Sequence, residues 1–292
     1  MFLGMSKKSG LVDIHSAVLL FGLAGLFGKW LPLSPLFIVL GRVFFASIAL
    51  ALMLFVSRQT FSLASRSMLL NLVFLGSILA LHWFSFFQSI QVSSVAIGLL
   101  SYSTFPVFTT FLEPLFFRER LVKINLFFSL LCLFGVFLII PSFHISDATF
   151  RGVLWGLLSG FCFAILAIFN RKLTQNISPL RIAFYEDIFA TACLLPFLFV
   201  MRPSLSGRDI LLLIILGTVC TAGSHTLFIK GMRDIKAQTA SIISSLEPVY
   251  GIFFAFLFLN EIPSLRTIVG GSVILLGQVL IIIKIFNQDR SA

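Results

Sequence analysis

Ten apolar runs joined by short links govern what this chain can fold into, at about 13–31, 35–56, 68–89, 93–117, 124–141, 152–170, 179–200, 209–230, 236–259 and 266–285. Crossing roughly 30 Å of hydrocarbon takes about 20 helical residues. Within lipid the backbone can satisfy itself only as helices or a closed barrel. Charged residues make up 11% of the chain and hydrophobic residues 59%. A soluble domain carries about 25% charged residues, so this chain cannot clothe a water-facing surface. The fold class that follows is an all-α membrane protein with ten transmembrane helices. The links leave no room for a soluble domain, a nucleotide-binding cassette or a receptor ectodomain. Lys7 and Lys8 precede the first run as they would in a signal peptide, but no A-x-A-like site follows and nine further runs do. The first run therefore reads as a transmembrane helix.

The net charge of +10 acquires meaning only through its placement. With the N-terminus inside, the inner segments hold Lys7, Lys8, Arg58, Arg66, Arg118, Arg120, Lys123, Arg171, Lys172, Lys230, Arg233, Lys236, Lys284 and Arg290. The outer segments hold Lys29, Arg151, Arg202, Arg208 and Arg266. By the positive-inside rule both termini are cytoplasmic, in a multi-pass protein of the cell (inner) membrane. The basic character is a topology signal with anionic lipid contact as a second use, and does not call for nucleic acid. Cys132, Cys162, Cys193 and Cys220 all sit in apolar runs without CxxC or His/Cys spacing, so they read as small core residues rather than a metal site or disulfides. Nothing calls for a cofactor, and without a Walker A motif the chain cannot hydrolyse ATP by that route.

Two stretches 142 residues apart are versions of one another. SYSTFPVFTTFLEPLFFRE (Ser101–Glu119) and ISSLEPVYGIFFAFLFLNE (Ile243–Glu261) share Ser103/Ser245, Pro106/Pro248, Val107/Val249, Phe111/Phe253, Leu115/Leu257, Phe116/Phe258 and Glu119/Glu261 without a gap. Leu33–Ala46 similarly echoes Ile177–Ala190, Phe86 aligns with Phe228, and Gly135 with Gly277. The halves are 1–143 and 144–292, five runs each. Because five is odd, the second half enters from the opposite side, giving a five-plus-five inverted repeat. Such a repeat, with a proline-broken helix in each copy, is the sequence pointer to a transporter.

Two fivefold halves, each ending in Pro, a dozen mostly apolar residues, Glu and a Gly-containing run, resemble the EamA-like family of the drug/metabolite transporter superfamily. Lys29, Ser34-Pro35 and Arg42 add to the likeness. The resemblance implies a central cavity lined by spans one, three, four, six, eight and nine. It implies a substrate drawn from amino acids, sugars, nucleotide derivatives or drugs. The second half departs from the pattern, with Glu186-Asp187 where the first has Arg42-Val43.

Proline removes the hydrogen bond to the carbonyl one turn back, which frees acceptors at Ser244 ahead of Pro248 and at Tyr102 ahead of Pro106. Free carbonyls in a membrane helix line protein or water rather than lipid. Ser103 and Ser244 beside them suit a polar ligand, or serve as small packing residues at simple kinks. Ionisable groups within spans are functional candidates by default. Glu247 fits three roles: a proton carrier that couples transport, a ligand for a substrate amine, or half of a structural ion pair. Glu113 shares the coupling or structural role. Arg42 reads as a structural charge balancing Glu186 or a helix C-terminus. His82, Trp83 and His225 suit an amphipathic or aromatic substrate, or pack as interior groups. Glu119 and Glu261 end their runs as caps or gate contacts at opposite faces. Phe105 stands where the other repeat has Glu247, so one half-site is apolar and the other acidic.

The substrate-binding set is thus His82, Trp83, Tyr102, Ser103, Pro106, His225, Ser244, Glu247 and Pro248. The activity expected is secondary transport of a small polar or amphipathic metabolite, an amino acid or related compound, with export the favoured direction and protons the candidate coupling ion. Uptake or exchange of a nucleotide-like or sulfonium metabolite is the alternative within the class. Outside it stands an intramembrane hydrolase, for which Ser159 and His225 are the best pair. No GxSG, HExxH or DDxxD supports an enzyme.

Overall fold

The computed structural model describes residues 2–63, 65–117, 123–200, 204–235, 237–244 and 246–291. They form helices without strands: α1 (Phe2–Ala24), α2 (Phe27–Trp30), α3 (Pro35–Val56), α4 (Arg66–Val92), α5 (Val95–Tyr102), α6 (Phe105–Phe117), α7 (Lys123–Ile139) and α8 (Ala148–Leu173) in the first part. The second part holds α9 (Pro179–Leu194), α10 (Phe197–Val200), α11 (Gly207–Gly217), a π-helical turn at Thr218–Gly223, α12 (Ser224–Gly231), α13 (Ala237–Ser244), α14 (Glu247–Leu259) and α15 (Leu265–Ser291). Among the described residues, seven helical stretches are long and apolar enough to cross a membrane: Ser9–Trp30, Pro35–Val56, Arg66–Val92, Val95–Phe117, Ala148–Leu173, Pro179–Phe199 and Gly207–Gly231. The remaining three runs appear as the shorter apolar helices Ser129–Ile139, Glu247–Leu259 and Leu265–Gly277.

Local chemistry sets the helix starts. Ser65, Ser94, Asp147 and Ser178 each accept from a backbone N–H three residues on, which satisfies one of the donors a helix N-terminus leaves open. Ser206 and Asp209 form a reciprocal capping box. Pro35 and Pro179 occupy the first turns of α3 and α9, where a missing N–H costs nothing. The outer surface carries large apolar side chains, Val56, Leu115 and Phe199 among them, each more than three-quarters exposed. That surface suits hydrocarbon and not water. Cys132, Cys162 and Cys220 are buried as core residues, whereas Cys193 lies exposed; all four are free thiols.

Glycines bring the helices to backbone contact in pairs that echo the duplication. A Cβ on Gly76 of α4 would stand 2.5 Å from the Cβ of Phe189, and one on Gly217 of α11 would stand 2.6 Å from the Cβ of Phe45. The carbonyls beside them belong to Glu186 and Arg42 respectively, the positions that break the repeat. Gly10 of α1 and Gly231 of α12 approach each other's carbonyls, and at the corresponding place Ser89 of α4 donates to Gly152 of α8. Small residues give van der Waals packing where lipid supplies no hydrophobic drive between helices. Other glycines pack in the same way: Gly22 meets α14, and Gly156 and Gly160 meet α5 and its C-terminal end.

At each proline site the helix is interrupted over a short stretch. α5 stops at Tyr102 and α6 resumes at Phe105, with the Ser103 and Thr104 hydroxyls bonded to the Leu100 and Ser101 carbonyls. α13 stops at Ser244 and α14 resumes at Glu247. Pro114, by contrast, sits inside continuous α6.

Gly217→Leu should lower the thermal unfolding midpoint of the detergent-purified protein, because overpacking costs about 1–3 kcal/mol. Gly207→Ala, where nothing lies within 4 Å of an added Cβ, should leave it unchanged. Equal shifts would overturn the close-packing account.

Candidate functional site

The two helix interruptions meet at a cavity of about 20 Å³ in the core. Tyr102, at the end of α5, and Glu247, at the start of α14, line it together. Their side chains lie close enough to interact electrostatically. The second Glu247 carboxylate oxygen is buried without a partner. Its place in the first turn of α14 lets the N-terminal end of that helix dipole favour negative charge there. Irregular backbone at membrane depth is tolerated where it lines a cavity, and both breaks obey that rule.

The opposite wall is cationic and aromatic. Arg42 of α3 places its guanidinium 3.7 Å from the Trp83 ring centroid, a cation–π contact made stronger by burial. Its Nε donates to the Thr221 hydroxyl at 2.8 Å and its Nη2 to the Cys220 carbonyl at 3.4 Å. Thr221 in turn donates to the Leu216 carbonyl, so its hydroxyl is free to accept from Arg42. Both partners belong to the π-helical turn, a feature often found at functional sites. Of the two partners expected for Arg42, Glu186 or a helix C-terminus, Glu186 is not the one its guanidinium bonds. Glu186 turns to His225, whose Nε2 lies 3.1 Å from its carboxylate, and Asp187 stands 3.6 Å from His225 Nδ1. The Trp83 indole lies edge-on to His225 at 5.8 Å.

His82, Phe86, Tyr102 and Phe163 form an aromatic box, with ring centroids 5.2–6.5 Å from His82. His82 Nδ1 lies 3.0 Å from the Ser159 carbonyl and 2.9 Å from its hydroxyl. Nδ1 donates to the Ser159 oxygens in one tautomer and accepts from the Ser159 hydroxyl in the other. The Ser159 partner is thus His82 and not His225. The Ser159 hydroxyl is fully buried.

Of the expected substrate-binding residues, His82, Trp83, Tyr102, His225 and Glu247 line the cavity, and so does Arg42. Ser103 and Ser244 are buried with hydroxyls bonded to the Leu100 and Ala240 carbonyls, and Pro106 and Pro248 are buried in the second rank. Glu113 pairs with Arg171 at 2.7 Å, away from the cavity wall. Glu261 is half-buried after the left-handed Asn260. Glu119 lies outside the described residues. Phe105 stacks behind Tyr102 and Phe163 at 5.0 and 4.9 Å, while its repeat counterpart Glu247 faces the cavity. Sequence reasoning left Phe21, Phe86 and Phe163 unassigned. Only the Phe86/Phe228 alignment signalled this group, and Phe228 packs on Phe163 at 5.3 Å. A second cleft, of about 290 Å³ between α3, α10 and α11, is lined among the described residues by apolar side chains such as Phe37, Leu198 and Leu213.

A multi-pass helical protein with an apolar outer surface and a small polar cavity at two helix breaks is built as a membrane transporter of small molecules. The chain belongs to the EamA-like transporter family, whose profile matches residues 8–140 and again 150–283. It is 25% identical over 284 residues to the uncharacterized transporter YxxF of Bacillus subtilis, covering 95% of this chain and 91% of that one. It is 27% identical over 173 residues to the riboflavin transporter ImpX of Fusobacterium nucleatum, covering 54% and 56% of the two chains. A solved crystal structure shares the fold at a TM-score of 0.72 and 15% identity, over 98% of this chain and 99% of that one.

Thr221→Val should destabilise the protein by about 1.5–3 kcal/mol, because it strands a charged donor in the interior. Thr221→Ser should behave as wild type. A thermal unfolding midpoint unchanged in the valine variant would remove Thr221 as the anchor of Arg42.

Proposed function

We propose that the chain is a secondary transporter of ten spans in two inverted five-span repeats, 1–143 and 144–292, with both termini cytoplasmic in the cell (inner) membrane. It moves a small zwitterion, an amino acid or a related amphipathic metabolite, by alternating access. The observation that carries this reading is the pairing of an unpartnered, buried Glu247 oxygen with the Arg42 guanidinium at the same cavity. A substrate ammonium meets the first and a substrate carboxylate the second, while His82, Trp83, Tyr102 and Phe163 receive its apolar body. Ser103, Pro106, Ser244 and Pro248 act behind this wall by holding the two breaks open.

The cavity volume supports alternating access. Small-molecule sites typically occupy about 300–1,000 Å³, and about 20 Å³ admits little more than a water. The helices must therefore part before a metabolite enters, and the interlocked repeats offer two equivalent ways of parting. The Lys230–Asp13 ion pair at 2.9 Å, from the end of α12 to the middle of α1, and the Lys29 bond to the Ser93 carbonyl, from α2 to the end of α4, join helices that such a parting would separate.

A second reading is favoured by the aromatic box together with the riboflavin transporter named among the relatives: a planar heterocycle sandwiched between Trp83, Tyr102 and Phe163. One experiment separates the two. In proteoliposomes, counterflow of labelled amino acids should occur and should fall about tenfold or more in Glu247→Gln, the loss expected for one charge-assisted bond. Riboflavin counterflow with amino acids inert would replace the first reading by the second. Turnover of a lipid or peptide without solute movement would overturn both.

A further inference from the structure

Behind the cavity lies a group of buried ionisable side chains that substrate contact does not use. Glu186 and Asp187, adjacent on α9, are fully buried and do not line the cavity. His225 of α12 does line it, and its two ring nitrogens face these two carboxylates at 3.1 and 3.6 Å. One imidazole therefore touches both compartments. Glu186 Oε1 and both Asp187 oxygens have no hydrogen-bond partner. Such oxygens are costly to bury unless a positive partner arrives.

Asn170 of α8 supplies an independent sign of what that partner is. It is 1% exposed, it donates from Nδ2 to Glu186 at 3.4 Å, and its Oδ1 has no partner. A primary amide presents a donor at one end and an acceptor at the other. With Nδ2 forward it serves a carboxylate; turned over, it accepts from a carboxylic acid. Asn170 can thus hold Glu186 in either protonation state, which a fixed cation such as Lys could not do. Charge arithmetic points the same way. Glu186, Asp187 and Glu247 oppose Arg42 and a protonated His225, so the buried set is one positive charge short. Among the described residues no group of His, Cys, Asp or Glu has a metal-holding arrangement.

We propose that Glu186, Asp187 and His225, with Asn170 as a reversible partner, form a proton site separate from the substrate contacts and joined to them through His225. The proton comes from water on one side and returns to water on the other, so only O–H and N–H bonds form and break. Arg42 of α3, His82 of α4, Tyr102 of α5 and Glu247 of α14 are the other charged or titratable groups around it, and Trp83 separates His82 from His225. In the transporter reading this site couples solute movement to protons, and that use rests on the reading while the site itself does not. The two α-helices that carry Arg42 and Glu186 are repeat-related, so the duplication has been given opposite charges on its two sides.

Trp83 reports on the site directly, because its ring touches His225. In the full chain carrying Trp30→Phe and Trp155→Phe, Trp83 is the one remaining indole of three. Its emission should follow a single protonation step on titration with acid, in detergent and without any solute. Glu186→Gln and Asp187→Asn should each displace the midpoint by about one pH unit or more, a tenfold change in proton affinity. His225→Gln should abolish the step, and His82→Gln should leave it in place. A step that survives in His225→Gln, or that neither carboxylate variant moves, overturns the proposal. A step that responds to sodium in place of choline at constant pH overturns it in favour of a metal ion. Should a variant fail to fold, infrared difference spectra of the wild type between acid and alkaline pH decide: a buried carboxylic acid band supports the site, and its absence overturns it. No solute is involved, so a failure of counterflow leaves this result standing, and the reverse.

Discussion

A charge in the membrane interior must be matched, and the core of this protein is arranged around that cost. Isolated burial of an ionised group is prohibitive in low dielectric. Arg42 meets the requirement with a hydroxyl, a carbonyl and the Trp83 face. Trp83 in turn sets its edge on His225, and His225 faces Glu186 and Asp187. The chain of contacts runs through α3, α4, α12 and α9, so four helices are fixed by one electrostatic problem. Displacing any one of them would expose a charge without its partner.

The constraint explains why the breaks are where they are. A helix interrupted in lipid would leave backbone groups unsatisfied, yet both interruptions fall beside the polar cavity lined by Tyr102 and Glu247. The π-helical turn belongs to the same economy of the backbone, since its displaced groups hold Arg42. Close glycine contacts then bind the outer helices to this centre. Gly76 seats α4 against the Glu186 carbonyl, and Gly217 seats α11 against that of Arg42. The backbone packing is thus repeated while the side chains at the repeated positions differ in sign. The duplicated scaffold thus combines symmetry of packing with asymmetry of charge.

Much of this architecture was legible in the sequence. Low charge and long apolar runs force helices in lipid, and the matched blocks around Pro106 and Pro248 mark the two breaks. Membership of the EamA-like family was visible in the same residues. His82, Trp83, Tyr102, His225 and Glu247 stood out because polar or ionisable groups within apolar runs need a reason. The phenylalanines of the cavity did not, since 36 of them share one signal and most face hydrocarbon or core. Three expected spans appear as shorter apolar helices among the described residues, where composition alone cannot separate a span from a shorter buried helix.

The sequence by itself determined that the chain is helical, membrane-embedded and duplicated, because hydropathy and period are local properties that lipid enforces on any chain carrying them. Only the tertiary structure decided which charges meet. Arg42 and Glu186 occupy equivalent positions and carry opposite signs, so pairing them is the natural inference from the sequence. Instead each turns to a partner on the stretch from the π-helical turn to α12: Arg42 to Thr221 and Cys220, Glu186 to His225. Partner choice depends on the angle and depth at which helices cross, and those are set by glycine contacts between residues far apart in the chain. For that reason the cavity's membership, and the carboxylates that face His225 behind it, could be read only from the folded molecule.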